Sequence, residues 1–242
     1  MKRDLNNEFS DSTDRLYAYN FDYIFREYLI EYFAKFLNNK KNALEIGCYK
    51  GEFTKLLLPF FDKIDIVEGS DVLIDFASLN VNSNKCTFYH SFFEDWDKNQ
   101  KYDAIFLIHT LEHINNPTEF LRKIKSYLSS DGRLFLVVPN ANAASRQIAV
   151  NMGLIEVNTS VTQGEKDHGH MITYTFDTLS KDVKSADLEI DHQTGVFFKP
   201  LANFQFDKAL DNNIIDKKYL DGCYLLGHRY PDLSASIFFL CK

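Results

Sequence analysis

The sequence predicts an α/β protein with a doubly wound, mainly parallel sheet, and three observations carry that expectation. From residue 42 onward, short apolar runs alternate with amphipathic stretches, the pattern of a sheet covered by helices on both faces. The apolar run Asn42–Ile46 meets two glycines, Gly47 and Gly51, and an amphipathic stretch over residues 52–61 follows, which reads as buried strand, tight turn and helix. A second strand-like run, Lys63–Glu68, ends in a carboxylate about 20 residues past the turn, the spacing at which nucleotide-binding α/β folds place an acid on ribose hydroxyls. The glycine turn lets backbone approach a ligand, with helix N–H groups aimed at it. It lacks the full G-x-G-x-x-G of a dinucleotide site and the G-K-[ST] ending of a phosphate loop, so a ligand with a ribose but no pyrophosphate fits better.

The 242 residues suit one domain with an elaboration, or one and a half domains. Residues 1–18 are polar and expected to be partly mobile. In the N-terminal extension, residues 1–40, the stretch 20–37 places Phe21, Ile24, Phe25, Tyr28, Leu29, Tyr32, Phe33 and Phe36 at helical spacing. In the core, residues 42–192, Ser70 caps a helix running to Asn80, and Cys86–His90 and residues 103–108 are the third and fourth strands. Asn116 and Pro117 start a helix that Asp131 and Gly132 end, and residues 133–138 form the fifth strand. Residues 141–153 form a helix, the polar stretch 157–169 a lid, and residues 176–186 a helix with Asp177 or Thr178 near its cap. Residues 187–198 and Ser234–Cys241 are two further strands. The long connection between them, residues 199–230, contains helical patterns over 204–210 and 219–226 and reads as an inserted cap, placed where insertions bear on specificity.

Composition narrows the function. Apolar residues make up 45% of the chain, ample for a core, and the formal net charge of −7 argues against nucleic acid as a partner. No apolar run approaches the ~18 residues that span a bilayer, and the N-terminus shows no apolar signal core, so no membrane insertion and a cytoplasmic location are expected. Cys48, Cys86, Cys223 and Cys241 are scattered, without the paired spacing of a zinc or redox site, and read as reduced thiols.

Glu45, Gly47 and Gly51 match the acid-x-Gly-x-x-x-Gly motif of the Rossmann-like S-adenosylmethionine-dependent methyltransferases, and the chain resembles that family at further places in the right order. Ile66-Val67-Glu68-Gly69-Ser70 matches the second strand and its acidic end, Phe92-Phe93-Glu94-Asp95 the loop beside the adenine, and Tyr102-Asp103-Ala104-Ile105 the start of the fourth strand. His109-Thr110-Leu111-Glu112-His113 looks like the H-x-L-E-H signature of one subgroup. Residues 128–134 resemble the approach to the fifth strand, with Asp131 in place of one glycine, and Val138-Pro139-Asn140 matches its end. The resemblance implies S-adenosylmethionine as donor and an antiparallel C-terminal strand pair at the sheet edge. It places Glu45, Gly47, Cys48 and Gly51 at the methionine and ribose part, Glu68 and Gly69 at the ribose, and Phe93 and Glu94 at the adenine; His109, at the edge where open α/β sheets bind ligands, either lines the methyl site or makes a loop-fixing hydrogen bond. It also implies that the N-terminal helix lies over the cofactor or mediates a homodimer; plain packing on the sheet is the favoured alternative.

Methyl transfer from a sulfonium is an in-line displacement, so alignment supplies much of the acceleration. A hydroxyl or ammonium acceptor must also lose a proton, and histidine is the natural base. The candidates are His109, directly after the fourth strand, and the pair His168 and His170, which extended backbone would send to one side. His113 reads as structural. Glu112, His113, His168 and His170 could converge on a metal, but no local ligand spacing fixes their distance, so none is expected. Asn140, Arg146 and Lys199 stand at ligand-side positions as acceptor-binding candidates, each with a plain structural alternative. Among the aromatics, Tyr17, Tyr19, Phe197, Phe198 and Phe204 could stack on a substrate ring, with core packing favoured for most. The acceptor is expected to be a small molecule, such as a sugar, a nucleotide sugar or a phosphorylated intermediate. The overall likeness is to O-methyltransferases of bacterial surface-polysaccharide and capsule decoration, phosphoramidate included. The alternatives are N- or O-methylation of a nucleotide sugar or a quinone precursor, and a catalytically silent donor-binding module.

Overall fold

The computed structural model describes residues 5–8, 18–38 and 41–242. Most of the stretch expected to be mobile, and Tyr17 with it, lies outside them.

Strands β1 (Asn42–Ile46), β2 (Lys63–Glu68), β3 (Cys86–His90), β4 (Tyr102–Ile108), β5 (Leu128–Pro139), β6 (Ile190–Phe198) and β7 (Ser234–Cys241) form one sheet in the order β3-β2-β1-β4-β5-β7-β6. The first five run parallel, and β7 is antiparallel to both neighbours, β5 and β6. The order reverses between β1 and β4. Chains leaving those two tips diverge and open a crevice at the carboxyl edge, where ligands bind in such sheets. This is the expected doubly wound sheet with its antiparallel C-terminal pair.

The helices are α1 (Asn20–Phe33), α2 (Glu52–Leu57), α3 (Asp71–Val81), α4 (Pro117–Tyr127), α5 (Ala144–Asn151), α6 (Gln163–Asp167), α7 (Phe176–Ser185), α8 (Asn203–Asp211) and α9 (Lys217–Arg229). Local chemistry sets their starts. The Ser70 hydroxyl accepts from the Leu73 amide at 3.1 Å, and Pro117 occupies the first turn of α4 behind Asn116. The cap of α7 is Thr175, with Asp177 and Thr178 in the first turn as expected near the cap; the Thr178 hydroxyl accepts in return from the Thr175 amide. Helix α4 ends at Tyr127, before Asp131 and Gly132, because Leu128 already pairs with Tyr102 as strand. A register shift follows at Asp103, whose carboxylate accepts from Ser129 and from the Lys41 and Asn42 amides.

Both faces of the sheet are covered, so its central strands are apolar on both sides. On one face Phe33 packs its ring against Phe106, Phe135 and Phe238. On the other, Trp96 and Tyr127 meet edge to face at 5.0 Å beside Leu107 and Phe239. Thr54 ties α2 to β1, its hydroxyl donating at 2.6 Å to the buried Glu45 carboxylate.

The insertion is not a loose cap. It packs with α1 against one face of the sheet. The Asp207 carboxylate accepts from the Asn20 and Phe21 amides at 2.9 and 2.8 Å and so caps α1 from outside. Asn203 donates to Asp22 at 2.8 Å, and the Tyr28 hydroxyl donates to Asp221 at 2.7 Å. Helix α9 lies so close to β6 that a side chain at Gly227 would meet the Phe197 amide nitrogen at 2.6 Å. Helix α1 therefore spends its apolar side on sheet and insertion, as the packing alternative held, and still reaches the crevice.

Two expectations follow. Asp207→Ala leaves two α1 amides without an acceptor and lowers unfolding stability by ~0.5–2 kcal/mol; a urea titration that shows no change would mean that α1 is held by packing alone. Burial pushes the Glu45 carboxyl up to about 7, with Thr54 and Arg26 pulling the other way. A raised acid contributes stability that is present below its unfolded pKa and lost as pH rises through the folded one. The difference in stability between wild type and Glu45→Gln should thus decline from about pH 4.5 to pH 7 and stay flat above, as read by thermal melts across that range.

Candidate active site

The crevice holds a cavity of about 1000 Å³, the upper end of the range for ligand sites. Its floor comes from the tips of β1, β2 and β4, one wall from α1, and the far end from the segment before α7 and the start of the insertion.

Gly47, Glu68, Phe93 and Glu94 line one end. Gly47 sits at φ +80°, and a Cβ there would stand 2.9 Å from the Thr110 hydroxyl, so backbone itself faces the cavity. The Glu68 carboxylate is buried and aimed by three amides: Gly69 at 2.8 Å, and Ser70 and Tyr49 at 3.2 Å. Glu45, Cys48 and Gly51 do not reach the cavity. Glu45 is occupied by Thr54. The buried Cys48 thiol donates to the Tyr49 carbonyl, with burial pushing its pKa well up. Gly51, at φ +83°, starts α2 facing Ala77 and Val81. They shape the turn from behind. Gly69 is covered by the Leu5 side chain, which itself lines the cavity.

At the centre, His109 follows β4 in a left-handed conformation, φ +53°. Its Nε2 lies 2.9 Å from the Ser236 hydroxyl, and its ring stacks on Phe25. Burial, then the Arg26 charge, pushes its pKa down to about 3, so His109 is neutral and a weak base. Arg26 is the residue that the sequence reading missed. It lines the cavity from α1, and its Nη1 is buried without a hydrogen-bond partner. A basic residue directly beside the buried Phe25 of an apolar helix was the available signal.

His168, His170, Lys199 and Asn203 also line the cavity. The Lys199 ammonium donates to Asn203 at 2.7 Å. Burial lowers its pKa, partly countered by Asp22 and Glu165. Two acceptor candidates fall elsewhere. The guanidinium of Arg146 binds Glu165 at 2.5 Å and the carbonyls of Asn158 and Ser160, so it pins the expected lid and does not line the cavity. Against the upward pull of burial, bonds from Arg146 and Thr162 hold the Glu165 carboxyl low. Asn140 is buried; its amide donates to the Asp232 and Ser234 carbonyls and its oxygen accepts from Asn142, which makes it a turn residue. Of the aromatics, Tyr19 lines the cavity, Phe197 is core and Phe204 is exposed.

Glu112, His113 and His170 come together, with one ligand atom from each lying within 4.8 Å of the others. Sequence spacing could not fix this, because a fold contact closes it: the Met171 amide donates to the Glu112 carbonyl at 2.8 Å. Burial pushes the Glu112 carboxyl up to about 8.

A methyltransferase-domain family model matches residues 17–193. A ubiquinone biosynthesis O-methyltransferase of Aeromonas salmonicida is 29% identical over 114 residues, 47% of this chain and 47% of that protein. Its counterpart in Glaesserella parasuis is 26% identical over 187 residues, 72% and 77% of the two chains. This chain therefore spans about half the length of the first relative and about three quarters of the second. Among solved structures, the N-methyltransferase NodS from Bradyrhizobium japonicum, in complex with S-adenosyl-L-homocysteine, superposes with a TM-score of 0.59 at 13% identity over 98% of this chain and 95% of that one. A methyltransferase from Leishmania major gives 0.61 at 13% identity over 90% and 72%. These two bear on the fold. With the family model covering most of the chain, the protein belongs to the methyltransferase-domain family.

Proposed function

We propose that the protein methylates an oxygen of a small, hydroxylated acceptor that carries a negative charge. The observation behind this reading is one continuous cavity lined by Gly47 and the Glu68 carboxylate and also by a half-buried lysine, Lys199, and by His109, His168 and His170. The residues fit the donor. Gly47 leaves room for it, Glu68 is oriented to accept from ribose hydroxyls, and Phe93 offers a ring face. Arg26 has a buried nitrogen in need of an anion such as the donor's carboxylate. When bound, S-adenosylmethionine supplies a methyl group already activated by positive sulfur.

The chain's own residues then position the acceptor. Lys199 attracts an anionic group, and Phe21, Phe25 and Tyr19 give the wall aromatic surface suited to a ring. In this reading His168, which lines the cavity, accepts the acceptor's proton; His109, held neutral, contributes a hydrogen-bonding wall. The names of the relatives favour a quinone precursor over the other acceptors, since a phenolic ring with an acidic group would match both the aromatic wall and the lysine. The printed names of the relatives do not support a surface-polysaccharide acceptor, although a lysine that attracts an anion suits a phosphate-like group as well as a carboxylate.

The donor reading predicts micromolar binding of S-adenosylhomocysteine, about −8 kcal/mol. Glu68→Ala and Arg26→Met should each weaken it by ~1.5–3 kcal/mol in calorimetry; binding of NADH with S-adenosylhomocysteine ignored would overturn the assignment. For the acceptor end, His168→Ala should lower turnover ~10²–10⁴-fold with donor affinity intact, and Lys199→Met should act mainly on the acceptor's KM. If kcat/KM is unchanged in His168→Ala, the base lies elsewhere.

A further inference from the structure

We propose that Glu112, His113 and His170 form a binding site for a divalent d-block cation of the zinc, manganese or cobalt class. One carboxylate oxygen and one imidazole nitrogen from each histidine all lie within 4.8 Å of one another, close enough for a single ion to touch all three. The two imidazoles meet edge to face, ring centroids 4.6 Å apart.

The carboxylate supplies an independent observation. Glu112 is 1% exposed, and neither of its oxygens has a hydrogen-bond partner. Among the described residues, no lysine or arginine forms an ion pair with it. A buried, unsatisfied carboxyl is costly unless something binds it, and a cation at the histidines would satisfy it.

The arrangement is also held in place by backbone. The His113 amide donates to the Thr110 carbonyl at 3.1 Å, the His170 amide to the Glu165 carbonyl at 2.9 Å, and the Met171 amide to the Glu112 carbonyl at 2.8 Å. The ligands thus come from two segments tied together before any ion arrives. Two nitrogens and one oxygen suit zinc, manganese or cobalt, whereas calcium and magnesium prefer oxygen alone. Three protein ligands leave coordination positions free, which distinguishes a substrate-handling site from a closed structural one.

All three residues line the cavity next to His168 and His109, so the free positions face the space assigned to the acceptor. Resting on the methyl-transfer reading, the cation would hold the acceptor's hydroxyl oxygen and make its proton easier to lose. The sequence reading expected no metal because no local motif sets the ligand distance; here the fold sets it.

Metal binding can be read without turnover. Tag-free protein, stripped with dipicolinate and titrated with Zn²⁺ and Co²⁺, should take up one equivalent per chain, with visible cobalt bands of a nitrogen and oxygen site. Glu112→Gln and His170→Ala should each weaken uptake by at least the ~10–100-fold that loss of even an outer-shell partner costs, while circular dichroism and S-adenosylhomocysteine binding persist. His170→Ala, in a half-buried loop, serves if Glu112→Gln misfolds. Substoichiometric uptake by the wild type, or equal uptake by His170→Ala, would overturn the site. Stoichiometric cation without methyl transfer to any acceptor would count against the proposed function and leave the site standing.

Discussion

The Thr110 hydroxyl donates to the Ile46 carbonyl at 2.9 Å, and this bond fastens the tip of β4 to the tip of β1. It sits where the strand order reverses and where the two chains would otherwise splay apart. The same hydroxyl stands where a side chain on Gly47 would go, so the bond requires glycine there and brings bare backbone to the cavity floor. His109 directly precedes Thr110 in the chain, and Glu112 follows two residues later.

Much of this was legible in the sequence because it is local. Strand, turn and helix spacing around Gly47 and Glu68 survives in any fold that keeps the sheet, and β7 falls where the apolar run Ser234–Cys241 put it. Helix ends were less legible. Tyr127 and Leu128 change from helix to strand because Tyr102 pairs with Leu128, a contact that no window of sequence contains. Polar residues near strand ends misled in one direction. Arg146 and Asn140 look like substrate ligands, yet Arg146 spends its donors on the Glu165 carboxylate and two backbone carbonyls, and Asn140 spends its amide on backbone. Arg26 misled in the other, hidden in a helix read for its apolar side. The convergence of Glu112 with His170 depends on a loop returning to β4 and has no local signature.

Electrostatics inside the cavity runs against the protein as a whole. The chain carries −7, yet Arg26 and Lys199 both face the cavity from its α1 and insertion side. Low dielectric strengthens their pull on an anion and makes their placement costly in an empty site. The acidic exterior disfavours anionic polymers, while the interior favours a small anion able to enter. The depressed pKa of His109 is part of the same field, since the nearby positive charges oppose a further one.

The contact between α9 and β6 has a further consequence. Gly227 lets the helix backbone rest directly on the Phe197 backbone, with no side-chain layer between them to slide or repack. The insertion that presents Lys199 and Asn203 is thereby welded to the sheet through α9 and to α1 through Asp207 and Asn203. This side of the cavity behaves as a mould and not as a jaw. Candidate molecules are sorted by whether they fit a shape that exists beforehand, so a new preference would arise by exchanging side chains on the mould's surface, with the length and motion of the insertion left untouched.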